Sequence, residues 1–369
     1  MSSSVQPSVL FEELASSASY KIAIATLNAP KTINALSSDM VSLLLPQLMA
    51  WRNDPAIACI VLRGEGDRGF CAGGDVVELR RSSLEDDGKA AQFFANEYRL
   101  DYTIHTYPKP IIVWGHGVVM GGGLGLLAGA SHRVVTEKTR LAMPEITIGL
   151  FPDVGASWFL NRMPGRIGLF LALTGVPINA ADTLYVGLAD HFLNHEQWEE
   201  FVEALVVADW YSQNNFVEVI SKILIKLSNT SSNCPKSLLK EHFDQIQALT
   251  SGVNLAEIYQ TITDYSGDDP WLQSAALTLK NGCPVTAALV PELLHRAKHL
   301  SLKEVFQMEW VVAANCMRFK DFAEGVRALL VDKDKTPKFE PSRIQDVSKQ
   351  IILDHFDDSI FAVNPLSDL

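Results

Sequence analysis

Apolar and polar positions alternate with period two from Tyr20 to Leu27, where Tyr20, Ile22, Ile24 and Thr26 face one way and Lys21, Ala23, Ala25 and Leu27 the other. That period, with its β-branched residues, predicts a half-buried strand. The period then lengthens. Ser37 or Ser38 offers a hydroxyl cap to a helical run that continues through Trp51, with Pro46 as a predicted kink. Short apolar runs at Ala58–Leu62 and Ile111–Trp114, bounded by turn residues, predict strands buried on both faces, and Arg133–Thr136 makes another. Strands separated by helices over the first 220 residues predict a layered α/β core with crossover connections. Past the polar stretch Asn229–Ser237 the pattern changes. Leu238–Leu249, Val290–Leu300 and Leu302–Met317 all carry apolar residues at helical spacing. The expected organisation is therefore a core over residues 1–228 and a mainly helical region over residues 229–369 that packs on it.

Composition narrows the function classes. With 47% apolar and 20% charged residues in 369, the chain has the balance of one that buries a core, and disorder is not expected. Lys plus Arg number 31 against 43 Asp plus Glu, a net charge of −12, which repels a phosphate backbone and argues against nucleic acid as a partner. An anionic ligand would need a pocket of its own. Cys59, Cys71, Cys234, Cys283 and Cys316 are scattered, with no CxxC pair, which predicts reduced thiols rather than a disulfide framework or a zinc site. The first twenty residues hold no Lys or Arg and include Glu12 and Glu13, so no leader is expected and a cytoplasmic location is. Val113–Ala130 is uncharged over eighteen residues but contains seven glycines and His116, a composition unsuited to a membrane span. Buried backbone with a specific task fits it better.

Several catalytic patterns fail. His295/His299 and His191/His195 are each four apart but lack the glutamate of HExxH and a third ligand, so no metal is expected. Gly155-Ala156-Ser157-Trp158-Phe159 lacks the second glycine of a hydrolase elbow, and Gly121-Gly122-Gly123-Leu124-Gly125 lacks both the P-loop lysine and the GxGxxG register. Two glycine-rich turns remain, Phe70-Cys71-Ala72-Gly73-Gly74-Asp75 and Met120-Gly121-Gly122-Gly123. Small residues there let a backbone N–H approach a ligand, and two such amides can hold one developing oxyanion. The third element runs from Met143 to Asp153 and places Glu145 and Asp153, each just after a proline, within an apolar stretch. Apolar surroundings disfavour the charged carboxylate and raise its pKa toward the range useful for proton transfer. For Asp153 the alternative is a cap on a helix starting at Val154.

The order FCAGGD, GGG before a helix, AMPE and then GLFPD resembles the crotonase (enoyl-CoA hydratase/isomerase) superfamily, and within it the 3-hydroxyisobutyryl-CoA hydrolases of valine breakdown. The resemblance spans roughly residues 18 to 340, including the late stretch DFAEGVRALLVDKDKTPKF. It implies an α/β fold of crotonase type, a ββα superhelix with an extended helical C-terminal part. It implies that the amides of Ala72 and Gly122 hold a thioester oxygen, that Glu145 and Asp153 are the catalytic acids, and that Glu97 lines the acyl pocket. The substrate implied is a short 3-hydroxyacyl-CoA, with coenzyme A as part of the substrate and no further cofactor, and a homo-oligomer is compatible with it. Arg68, Arg318 or Lys338 would meet the CoA phosphates. Superfamily hydratases carry a second glutamate where Gly125 stands here, so hydration is not expected, and an enoyl- or dienoyl-CoA isomerase is the nearest rival.

Overall fold

The computed structural model describes residues 6–16, 19–211 and 215–369. Residues 1–5 and 17–18, part of the stretch read for a leader, lie outside it. The chain divides into two compact units, each assembled from separated segments: Met1–Gly74, Thr103–Leu141 and Ile178–Leu238 in the first, and Asp75–Tyr102, Ala142–Pro177 and Leu239–Leu369 in the second. The last passage between them falls at Leu238, just after the polar stretch Asn229–Ser237.

The strands are β1 (Val9–Ala15), β2 (Lys21–Leu27), β3 (Ile57–Gly64), β4 (Gly69–Cys71), β5 (Ile111–Gly115), β6 (Val118–Met120), β7 (His132–Val135), β8 (Arg140–Ala142), β9 (Ile178–Asn179) and β10 (His191–Phe192). One sheet has the order β1-β2-β3-β5-β7-β10 and is parallel apart from the β1–β2 hairpin. The second has the order β4-β6-β8-β9. Successive strands β3 and β4, β5 and β6, and β7 and β8 each step from the first sheet to the second before the chain turns into helix. This repeating strand–strand–helix pattern is the ββα superhelix.

Local chemistry explains the elements. Ser37 accepts the Met40 N–H at 3.2 Å and starts the helix Ser38–Asn53, which contains Pro46. The strand predicted to be half-buried differs: Ile22 to Leu27 are buried on both faces. Its Ile22 and Ile24 pack with Trp114, Phe201, Leu205 and Ile220, while Ala23 and Ala25 on the opposite face are buried as well. Period two was present in the sequence, but small alanines on the second face were themselves a sign of close packing.

Apart from the end of β8, the described elements of the second unit are helices and short turns. The helix Leu302–Cys316 matches the expected run within a residue. The run expected at Val290–Leu300 is instead Pro284–Ala297, because Pro284 occupies the first helical position, where its missing N–H costs nothing, and Pro291 is tolerated inside. The run Leu238–Leu249 is split into Leu238–Glu241 and Phe243–Leu249.

Candidate active site

In the first unit the two glycine-rich turns meet. Gly73 has φ +103°, and a Cβ there would lie 3.3 Å from the Met120 carbonyl oxygen; a Cβ on Gly123 would lie 2.6 Å from the Cys71 carbonyl oxygen. Only glycine permits both approaches, so the turns carrying Ala72 and Gly122 are held together by absent side chains. Gly122 opens the helix Gly122–Gly129, behind Gly121 at φ +47°, and the first amides of a helix have no partner within it. The Ala72 N–H, by contrast, donates to the Ile33 carbonyl at 2.9 Å. A thioester oxygen could take that amide only by replacing Ile33.

In the second unit the structure gathers the predicted acids. Glu145 begins the short 3-10 turn Glu145–Ile148, is 5% exposed, and its Oε2 has no hydrogen-bond partner. Gly149, at φ +68°, closes that turn by donating to the Glu145 carbonyl, and a Cβ there would stand 2.6 Å from the Asp321 backbone. Asp153, 4% exposed, accepts a 2.6 Å hydrogen bond from the Tyr98 hydroxyl. Glu97 and Asp101 sit four apart on the helix Lys89–His105, so they share a face. Both are 2% exposed, and Oε1 of Glu97 and both carboxyl oxygens of Asp101 lack partners.

Burial sets the electrostatics. Desolvation, then the neighbouring Asp153, lifts the Glu145 carboxyl well above the usual range. Burial, then Asp153, Asp101 and Glu145, does the same for Glu97. Asp101 is raised by burial, Asp153 and Glu309. Asp153 is raised by burial to about 6, the Tyr98 hydrogen bond working the other way. A carboxyl that ionises near neutrality beside one that holds its proton longer is the arrangement expected of acid–base chemistry.

Asp153 does not cap a helix with its side chain. Its carbonyl accepts the Ala156 N–H at 2.9 Å across a turn whose two central residues, Val154 at φ +53° and Gly155 at φ +85°, are both left-handed. For a β-branched residue that conformation costs on the order of 1–3 kcal/mol. Glu309 meets the turn: its carboxyl accepts the Gly155 N–H at 2.7 Å and the Ser157 N–H at 2.9 Å. Tyr98, Asp101 and Glu309 belong to no motif in the sequence. A signal existed, since each interrupts a strongly apolar helix face, Tyr98 and Asp101 near Phe93 and Phe94, and Glu309 beside Trp310 and Val312.

A separate cavity of about 300 Å³ in the second unit is bordered by Gly149, Thr286, Cys316, Asp321 and His355, and none of Glu97, Glu145 or Asp153 lines it. Among the described residues no group of three His, Cys, Asp or Glu side chains is placed to hold a metal ion, and no helix is long and apolar enough to cross a membrane.

The family model for enoyl-CoA hydratase/isomerase matches residues 22–356. The chain belongs to the enoyl-CoA hydratase/isomerase family. Within the family it is 37% identical to a Gallus gallus protein named 3-hydroxyisobutyryl-CoA hydrolase, mitochondrial, over 89% of this chain and 84% of that one. It is also 37% identical to the Danio rerio protein of the same name, over 95% and 90%. Among solved structures, a carnitinyl-CoA dehydratase from Mycobacterium thermoresistibile superimposes with a TM-score of 0.84 at 34% identity, covering 95% of this chain and 97% of that one. Against that family background, Gly125 lies buried inside the helix Gly122–Gly129, where it brings no carboxylate.

Proposed function

We propose that the protein hydrolyses a short 3-hydroxyacyl-CoA thioester, 3-hydroxyisobutyryl-CoA foremost, to the free hydroxy acid and CoA. The observation that carries this reading is the buried pair of Glu145, with an unpartnered oxygen, and Asp153, held by Tyr98. The hydrolase names of the vertebrate relatives support it.

On one route the ionised fraction of Glu145, small near neutrality because burial and Asp153 favour its protonated form, takes a proton from water, and the hydroxide adds to the thioester carbon. On the other, a Glu145 oxygen adds directly, the CoA thiolate leaves, and water cleaves the mixed anhydride. Both routes pass through a tetrahedral oxyanion, and both end with the CoA sulfur protonated. Preorganised backbone amides suit such an oxyanion, each donor being worth about 10² to 10³ in rate. Asp153, ionised at neutral pH, orients the substrate hydroxyl, and Glu97 borders the acyl group.

The test is thiol release from 3-hydroxyisobutyryl-CoA. Glu145→Gln, nearly isosteric, is expected to lower it by about 10³-fold or more with the fold intact; wild-type turnover in that variant would remove Glu145 from the mechanism. The dehydratase name of the Mycobacterium relative favours a second reading, interconversion of hydroxyacyl- and enoyl-CoA. Following enoyl-CoA absorbance in the same incubation separates it, since a hydratase or isomerase liberates no thiol.

No disulfide joins the five cysteines, and reduced thiols suit either the cytoplasm or the mitochondrial matrix. The relatives' names point to the mitochondrion. Cell fractionation decides between the two compartments.

A further inference from the structure

We propose that Glu309 is a positioning residue for this reaction: its carboxyl holds the Asp153–Gly155 turn in a conformation the turn's own sequence disfavours, and so keeps Asp153 on Tyr98. The inference rests on the hydrolase reading for its kinetic consequence and on geometry for the rest.

The turn has a defect that its sequence does not repair. Consecutive left-handed residues at the centre of a turn call for Gly, Asn or Asp, and the first of the two here is Val154. The following helix, Ala156–Phe159, receives no side-chain cap from its own N-terminal residues. Glu309 supplies what is missing from a distant segment. It lies in the middle of the helix Leu302–Cys316, is 0% exposed, and places one oxygen on the Gly155 N–H and the other on the Ser157 N–H. A carboxyl receiving the amides of Gly155 and Ser157 ties the end of the turn and the start of the following helix to one distant side chain. The same helix packs Phe306 against the Tyr98 ring, with centroids 5.7 Å apart, and the Phe306 ring would lie 3.2 Å from a Cβ on Gly155. One helix therefore fixes both the turn behind Asp153 and the phenol in front of it. No ion pair accompanies the buried Glu309 among the described residues. Its neighbours by charge are Asp153, Asp101 and Tyr98, all on the acid site. A carboxyl placed there solely for stability would be a poor choice, since a packed apolar side chain does as well without desolvation.

The experiment compares Glu309→Gln, Val154→Gly and the double variant in the full chain. Glutamine keeps one acceptor but turns an NH₂ toward the second amide, so the clamp is broken. Displacing a catalytic group by about 1 Å costs on the order of 10²-fold, and Glu309→Gln is expected to lower kcat by about that factor while KM changes by less than about threefold. Glycine at 154 accepts φ +53° without strain, so Val154→Gly in the Glu309→Gln background is expected to restore kcat to within about fivefold of Val154→Gly alone. An unchanged kcat in Glu309→Gln overturns the proposal. So does a loss that Val154→Gly leaves in place. If Glu309→Gln alone fails to fold, the double variant decides: a folded, active protein supports the proposal and an unfolded one overturns it. Hydrogen exchange of the peptide spanning residues 153–158 gives a readout free of activity, with faster exchange expected in Glu309→Gln. If the wild-type chain releases thiol from no acyl-CoA, the hydrolase reading fails, and the exchange result still judges the clamp.

Discussion

Asp153 combines the site's chemistry with a cost in stability. Its carboxyl is shifted from 3.8 to about 6 by burial, so between those pH values the folded chain keeps a proton that the unfolded chain has lost. Stability from this group is therefore fully present below about pH 4 and falls as pH rises through 6, by about 3 kcal/mol in all. Asp153→Asn removes that loss. It is expected to raise Tm by a few degrees at pH 7 and hardly at all at pH 4, with thiol release abolished; calorimetry at the two pH values checks it. Tyr98 acts in the opposite sense, because its hydrogen bond lowers the Asp153 pKa. Tyr98→Phe should move the acid limb of the kcat/KM profile to higher pH. A limb that stays in place would dissociate that limb from Asp153.

Among the elements, the 3-10 turn from Glu145 and its glycine closure position the acid more than any helix does. Gly149 is required twice over, by its left-handed φ and by the Asp321 backbone 2.6 Å from where a Cβ would be. Gly149→Ala is expected to destabilise by about 2 kcal/mol or more, read from the midpoint of urea unfolding, and to lower kcat because Glu145 moves with the turn. Much of this was legible in advance. The pair Pro144-Glu145 and Pro152-Asp153 in an apolar run marked the acids, and the glycine runs marked the two turns. What was not legible was Glu309, which lies 154 residues beyond Gly155. A carboxylate inside an apolar helix announces that it has a partner, but no local period says which.

For the whole molecule, the C-terminal segment belongs to the compact unit that carries the acids. Leu239–Leu369 clusters with Asp75–Tyr102, which bears Glu97 and Tyr98, and with Ala142–Pro177, which bears Glu145 and Asp153. Ending the chain at Leu238 would strip the acid segments of Thr286, which donates to the Leu150 carbonyl at 2.8 Å, and of Glu309. That truncation is expected to give no cooperative unfolding transition in the acid-bearing segments and no thiol release. The charge of −12 bears on binding rather than folding. A polyanionic CoA ester held by local amides and a few basic side chains should show a KM that rises only modestly, less than about tenfold, between 50 and 300 mM salt. A steeper rise would indicate a broad cationic surface.

Read alone, the chain determined the kinds of element, the two turns where only glycine fits, and the acids that apolar neighbours would make reactive, because period, backbone conformation and desolvation are all local properties. Tertiary structure decided the rest. It buried β2 on both faces, turned the Ala72 amide toward Ile33, set Tyr98 on Asp153, and brought Glu309 to a strained turn. Each of these is a pairing between distant residues, and hydrogen-bond and packing partners are chosen by the fold rather than by sequence spacing.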